Sequence, residues 1–268
     1  MPMPGWTPSR RQSHLLLLVA VALASCCLAG CGGTIDVGSD VLWTARFEGG
    51  AFDEWTGTTG GGAATSSTTG SMEVSGDHAR MGRFAAKLVV EAPDGGGAQS
   101  ASLSRRGNLP AEGYYSAWYY LPATVNIRKY WVIFKFRRRT VVDDPASEDE
   151  LLDVGLGNDT NGEMTIGAFD HRVDKVVPVR TGLVVPVGVW FQLEAYYRNA
   201  SDSTGAMTVW FDGEPVIDLE GAATSPTPWI EWDVLNLADN LTPSAATLFV
   251  DDCAVSRKRV GPAGRIGD

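Results

Sequence analysis

From residue 41 onward, apolar and polar residues alternate with a period near two, and no stretch of useful length repeats apolar positions at helical spacing. The alternation predicts strands over 41–47, 84–91, 99–105, 114–121, 130–139, 151–157, 164–169, 189–197, 207–211, 215–219, 229–235 and 247–255. Asn161-Gly162 and Asp212-Gly213 sit between such runs, and both pairs suit hairpin turns that need positive φ. A dozen short strands with turn signals between them argue an all-β sandwich of two curved antiparallel sheets. No fixed-period repeat points to a propeller. The Gly/Ser/Thr-rich stretch 57–70 reads as a mobile loop, the acidic stretch 143–153 as an exposed loop, and 258–268 as a disordered tail.

Strand 130–139, YWVIFKFRRR, carries the most informative pattern. One face would hold Tyr130, Val132, Phe134 and Phe136, an apolar row suited to the core. The other would hold Trp131, Ile133, Lys135, Arg137 and Arg139, which begins apolar and ends as a ladder of three cations. Cations are seldom buried without partners, so the ladder is expected to face water, acidic side chains or an acidic ligand.

The first thirty residues have a different character. Arg10 and Arg11, a short apolar run from Leu15 to Ala24, and small residues up to Cys31 form a signal-peptide pattern, too short to span a bilayer. This assigns 1–30 to a signal, 31–40 to a flexible tether and 41–257 to one domain. Beyond residue 30 the chain holds 20 basic and 32 acidic side chains, a net charge of −12. That balance argues against nucleic acid as a partner. Past Cys31 only Cys253 remains, so no intramolecular disulfide is expected. Cys253 with His78 and His171 makes too poor a set for a Cys/His zinc site.

Leu28-Ala29-Gly30-Cys31 resembles a bacterial lipoprotein cleavage box, which implies lipid modification of Cys31 and anchoring to the cell envelope, at the outer membrane or cell surface, by lipid alone. Gly82 to Leu88 (GRFAAKL), Tyr114 to Pro122 (YYSAWYYLP), Trp190 to Glu194 (WFQLE), Gly205 to Gly213 (GAMTVWFDG) and Phe249 to Asp252 (FVDD) come in an order that resembles the concanavalin A-like jelly roll. Within it they resemble the heparin-lyase-I-like polysaccharide lyases. The resemblance covers roughly 41–257 and implies a sandwich whose concave sheet forms a groove for extended polysaccharide; separately, a monomer is expected. Where such lyases carry a Gln-x-His pair, this chain has Lys135 and Arg137. An arginine can neutralise a carboxylate but cannot serve as a base.

Two functional readings stay open. In the first, Lys135, Arg137 and Arg139, with Trp131, Tyr115, Gln192 and Glu194, bind an anionic polysaccharide. In the second, the chain is a lyase with His171 or Tyr196 as base and Arg137 as neutraliser. A structural envelope or adhesion domain is a third class. The bland alternative for the ladder is pairing with same-sheet acids, Glu194 among them. Glu231 and Asp233 resemble the paired carboxylates of jelly-roll hydrolases, but the third acid of that pattern is replaced by Asn236. No cofactor is expected beyond a structural calcium, for which Glu48 and Asp252 are the candidate ligands; the competing account pairs Asp251 and Asp252 with Arg257 or Lys258.

Overall fold

A computed structural model describes residues 40–56, 62–106, 109–139, 141, 148–180, 182–225 and 229–263. The expected signal, most of the tether and Cys31 lie outside them. The strands are β1 (Val41–Ala45), β2 (Ala63–Ser66), β3 (Gly70–Ser75), β4 (Ala85–Glu91), β5 (Gln99–Arg105), β6 (Glu112–Tyr120), β7 (Asn126–Arg139) and β8 (Glu148–Asn158). They continue as β9 (Met164–Asp170), β10 (Lys175–Val176), β11 (Trp190–Arg198), β12 (Gly205–Phe211), β13 (Glu214–Ala222), β14 (Ile230–Thr242) and β15 (Ala245–Ser256), with one helical turn, α1 (Asp53–Thr56).

The strands form two antiparallel sheets, a jelly-roll sandwich. One runs β13-β12-β11-β6-β15-β4-β3 with β1 added on β15, eight strands in all; the other runs β10-β9-β8-β7-β14-β5-β2. The core lies between them. Phe136 of β7 stacks on Tyr197 of β11 at 4.4 Å and meets Tyr115 of β6 edge-on at 5.0 Å. Those contacts fix which side of each strand faces inward.

In three segments read as loop or tail, the described residues take up defined structure. β2 forms within the Gly/Ser/Thr-rich stretch because it needs only backbone pairing with β5. From Glu148 onward the acidic stretch is the start of β8, where Asp149 pairs with Arg138 and Asp153 lies opposite Lys135. The expected tail begins as a strap instead: the N–H groups of Val260 and Gly261 donate to the Glu194 carboxylate at 2.6 and 3.1 Å, and Arg259 joins them.

The face assignment of β7 also changes along its length. The register against β8 shifts between Val132 and Phe134, and against β14 between the residues paired with them. Such a bulge re-aims side chains. Trp131 therefore turns inward, its Nε1 donating to Asn236 Oδ1 at 2.8 Å, while Asn236 Nδ2 donates to the carbonyls of Leu88 and Ala246 in the other sheet. Phe134 and Phe136 stay inward, and Lys135 and Arg137 point out.

Candidate functional site

Along β7 the cations are flanked on both sides by acids. Lys135 lies opposite Asp153 of β8 and Asp233 of β14, and Arg137 opposite Glu231 of β14. Cross-strand neighbours on one face stand close enough for direct contact. Arg137 Nε donates to Asp233 Oδ2 at 2.6 Å and its Nη2 to Glu231 Oε1 at 2.7 Å; Arg139 Nε and Arg106 Nε both reach Glu231 Oε2, at 2.8 and 2.6 Å. Lys135 Nζ sits 3.3 Å from Asp153 Oδ1 and is 3% exposed. The ladder is thus paired with same-sheet acids, from β14 and β8, rather than presented bare to a ligand. Glu194, offered as a partner, belongs to the other sheet.

These contacts set the titration of the acids. Burial works against ionising Glu231, but Arg137, Arg139 and Arg106 outweigh it and hold its carboxyl below the usual range. Asp233 is pushed up to about 6, by burial first, with Arg137 pulling it down and Glu231 raising it. The pair read as hydrolase-like carboxylates therefore serves as the counter-ion of three arginines.

Beside this network, on the face of the seven-stranded sheet turned from the core, opens a cleft of about 500 Å³. Asp153 and Lys135 form its polar floor, Gly167 leaves room above β9, and Tyr130 and Phe169 supply aromatic walls. His171, directly after β9, brings Nε2 to 3.0 Å from Asp153 Oδ2, so two potential proton carriers share one carboxylate. The cleft brings together Trp131, Lys135 and His171 from the sequence expectations. It adds Asp153, Phe169 and Lys129, of which Asp153 was hidden by its place in an acidic run.

Other expected site residues lie elsewhere. Tyr196 is on the outward face of the eight-stranded sheet, its hydroxyl donating to Glu112 at 2.7 Å and pushed up to about 12, by burial first and then by that carboxylate. Gln192 is buried on the same sheet, donating to Ser116 Oγ and the Gly261 carbonyl. Burial raises the Glu194 carboxyl against the pull of the Val260 and Gly261 amides. Tyr115 lies in the core against Phe136 and Trp232. None of these four reaches the cleft.

The two candidate calcium ligands, Glu48 and Asp252, are each engaged by protein donors. The Glu48 carboxylate accepts from the amides of Arg83 and Phe84, while Asp252 pairs with Arg80 and, at 3.9 Å, Arg46. Among the described residues no group of three or more acids, histidines or cysteines could hold an ion. Asp251 accepts from the amides of Arg80 and Met81, so neither aspartate uses Arg257 or Lys258 in the way expected. Cys253 is buried, as a small hydrophobe would be.

Together the sheets define a concanavalin A-like jelly roll with a cleft on the outer face of one sheet. The same architecture is found in the endo-β-1,4-glucuronan lyase of the fungus Trichoderma reesei, with a TM-score of 0.62, 15% identity, and coverage of 84% of this chain and all of that one. It is found in alginate lyase vAL-1 from Chlorella virus (TM-score 0.55, 11% identity, 82% and 100% covered) and in alginate lyase Aly36B with bound alginate trisaccharide (0.54, 11%, 81% and 98%). At these identities the likeness establishes the fold. The sequence matches no protein-family model and no curated protein.

Proposed function

We propose that this chain binds a polysaccharide, anionic in character, in the cleft over β7, β8 and β9. The observation that carries this is the cleft itself: open, walled by Tyr130 and Phe169, and floored by Lys135, Asp153 and His171. Apolar walls with a few convergent polar groups are what small-ligand sites consist of. The fold shared with glucuronan and alginate lyases supports a glycan as the occupant. Arg137 and Arg139 then serve to organise the sheet beside the cleft. Calorimetric titration against polyglucuronate, alginate and a neutral glucan tests this. Binding to the uronates that is weakened by Phe169→Ala and His171→Ala supports it, and no binding to any of the three overturns it.

A second reading, β-elimination, is favoured by the contact of His171 with Asp153 beside Lys135. In its neutral form the imidazole would take the C5 proton of a uronate while Lys135 offsets the carboxylate charge. The C5–H electrons form the C4–C5 double bond, the C4–O bond breaks, and the leaving oxygen takes up a proton from solvent water. A rise in ultraviolet absorbance from unsaturated uronate ends, lost in His171→Ala, supports it; binding with no such rise leaves the binding function alone. We also propose export and lipid attachment at Cys31. Incorporation of labelled fatty acid that disappears in Cys31→Ser is the expected result, and equal labelling of both proteins is the opposing one.

A further inference from the structure

Away from the cleft, Trp43 of β1, Trp55 of α1, Arg105 of β5 and Trp232 of β14 pack together. The Trp43 ring lies 4.8 Å from Trp55 and 6.2 Å from Trp232, and Trp55 lies 5.8 Å from Trp232. Arg105 is directly opposite Trp232 in the ladder, and its guanidinium carbon stands 4.7 Å from the Trp43 ring. β5 alternates so that Leu103 and Arg105 point inward, toward the apolar side of the sheet, while Ser104 lies opposite Asp233.

The donors of this cluster are not all satisfied. Trp43 Nε1 donates to the Glu54 carbonyl at 3.0 Å. Among the described residues, Trp55 Nε1, Trp232 Nε1 and Arg105 Nε are buried without an acceptor, and Arg105 as a residue is only 7% exposed. The acids of this region are committed elsewhere. The Glu54 carboxylate accepts from the amides of Arg46 and Phe47, and Glu231 and Asp233 hold arginines on the other face of β14. A buried donor without an acceptor costs about 1–3 kcal/mol, and an arginine is rarely buried without a counter-ion. The ring of Trp43 offers a cation–π contact but accepts no N–H in the plane of the guanidinium.

A single small anion answers both needs at once, accepting from several N–H groups and neutralising the guanidinium; water would satisfy the donors but leave the charge. We propose that Arg105, Trp55 and Trp232 form a binding site for a small monovalent anion of halide size. It is separate from the glycan cleft, since Arg105 and Trp232 face the sandwich interior.

The test is the thermal midpoint of the full chain at constant ionic strength, with chloride replacing gluconate. The expected result is a midpoint that rises with the logarithm of chloride concentration, as for any ligand of the folded state. Arg105→Met removes the dependence, and Trp232→Phe moves it to about tenfold higher chloride. An identical midpoint in chloride and gluconate overturns the proposal. If Arg105→Met does not fold, chloride-35 line broadening on the unaltered protein decides: excess broadening relieved by bromide supports the site, and its absence refutes it.

Discussion

His171 Nε2 lies 3.0 Å from Asp153 Oδ2, a contact between the residue that follows β9 and the middle of the neighbouring strand. The backbone fixes it, because the His171 N–H donates to the Leu151 carbonyl at 3.1 Å and extends the β8–β9 ladder by one residue. Asp153 also faces Lys135 across the next ladder. One carboxylate thus holds an imidazole and an ammonium at the floor of the cleft, each from a different strand.

Because Lys135 is almost fully buried, this pairing has an energetic signature. Removing one member of a buried ion pair strands the other and costs about 3–5 kcal/mol, whereas replacing both with apolar groups costs much less. Lys135→Met and Asp153→Leu should each lower the unfolding free energy in urea by about 3 kcal/mol, and the double variant by clearly less than their sum. Additive losses would show that the two side chains do not depend on each other.

Arg137 and Tyr196 separate the sheet faces. Arg137→Ala leaves the buried Glu231 and Asp233 with fewer counter-ions and should cost about 3 kcal/mol of stability. Tyr196→Phe removes one hydroxyl contact with Glu112 on the opposite face and should leave glycan affinity unchanged. A loss of glycan binding in Tyr196→Phe would move the site to the eight-stranded sheet.

Much of the fold was legible because strand signals are local. The runs 99–105 and 164–169 coincide closely with β5 and β9, and Asn161-Gly162 turns β8 into β9 with Gly162 at φ 83°. The candidate site was legible only in part. Period-two alternation assigns Trp131 and Lys135 to one face, and the bulge at Val132–Phe134 separates them. Asp153 and Glu231 could not be matched to Lys135 and Arg137 without knowing which strands are neighbours, since β14 lies about a hundred residues from β7 in sequence. The four-residue β2, Ala63-Ala64-Thr65-Ser66, carries no large apolar side chain to signal it, and the strap at 259–261 is held by a glutamate far from it in sequence.

Asp251 gives the pH dependence a sign. Burial, then the neighbouring Asp252 carboxylate, push its carboxyl up to about 7 from the ordinary 3.8, against the amides of Arg80, Asp252 and Met81. As pH rises from about 4 to 7 the unfolded chain releases this proton before the folded chain does. The contribution of Asp251 to stability is therefore full at the acidic end, declines across that window and is level above it. Unfolding free energies of the unaltered protein and Asp251→Asn, compared at pH 4 and pH 7, should show a smaller fall in the variant. Parallel curves would mean that Asp251 titrates normally.

Two glycines of the cleft floor divide stability from binding. A Cβ on Gly155 would stand 2.5 Å from the Trp131 carbonyl oxygen, so Gly155→Ala must displace β7 against β8 and should cost about 2 kcal/mol. A Cβ on Gly167 meets nothing within 4 Å, because it projects into the cleft. Gly167→Val should change stability by no more than about 0.5 kcal/mol, since a β-branched residue suits a strand. It fills part of the cleft proposed to hold the glycan, and glycan affinity should fall about tenfold or more. Chemical denaturation and calorimetric titration of the same preparation measure the two effects. If the valine is accommodated without loss of affinity, the glycan does not lie over β9.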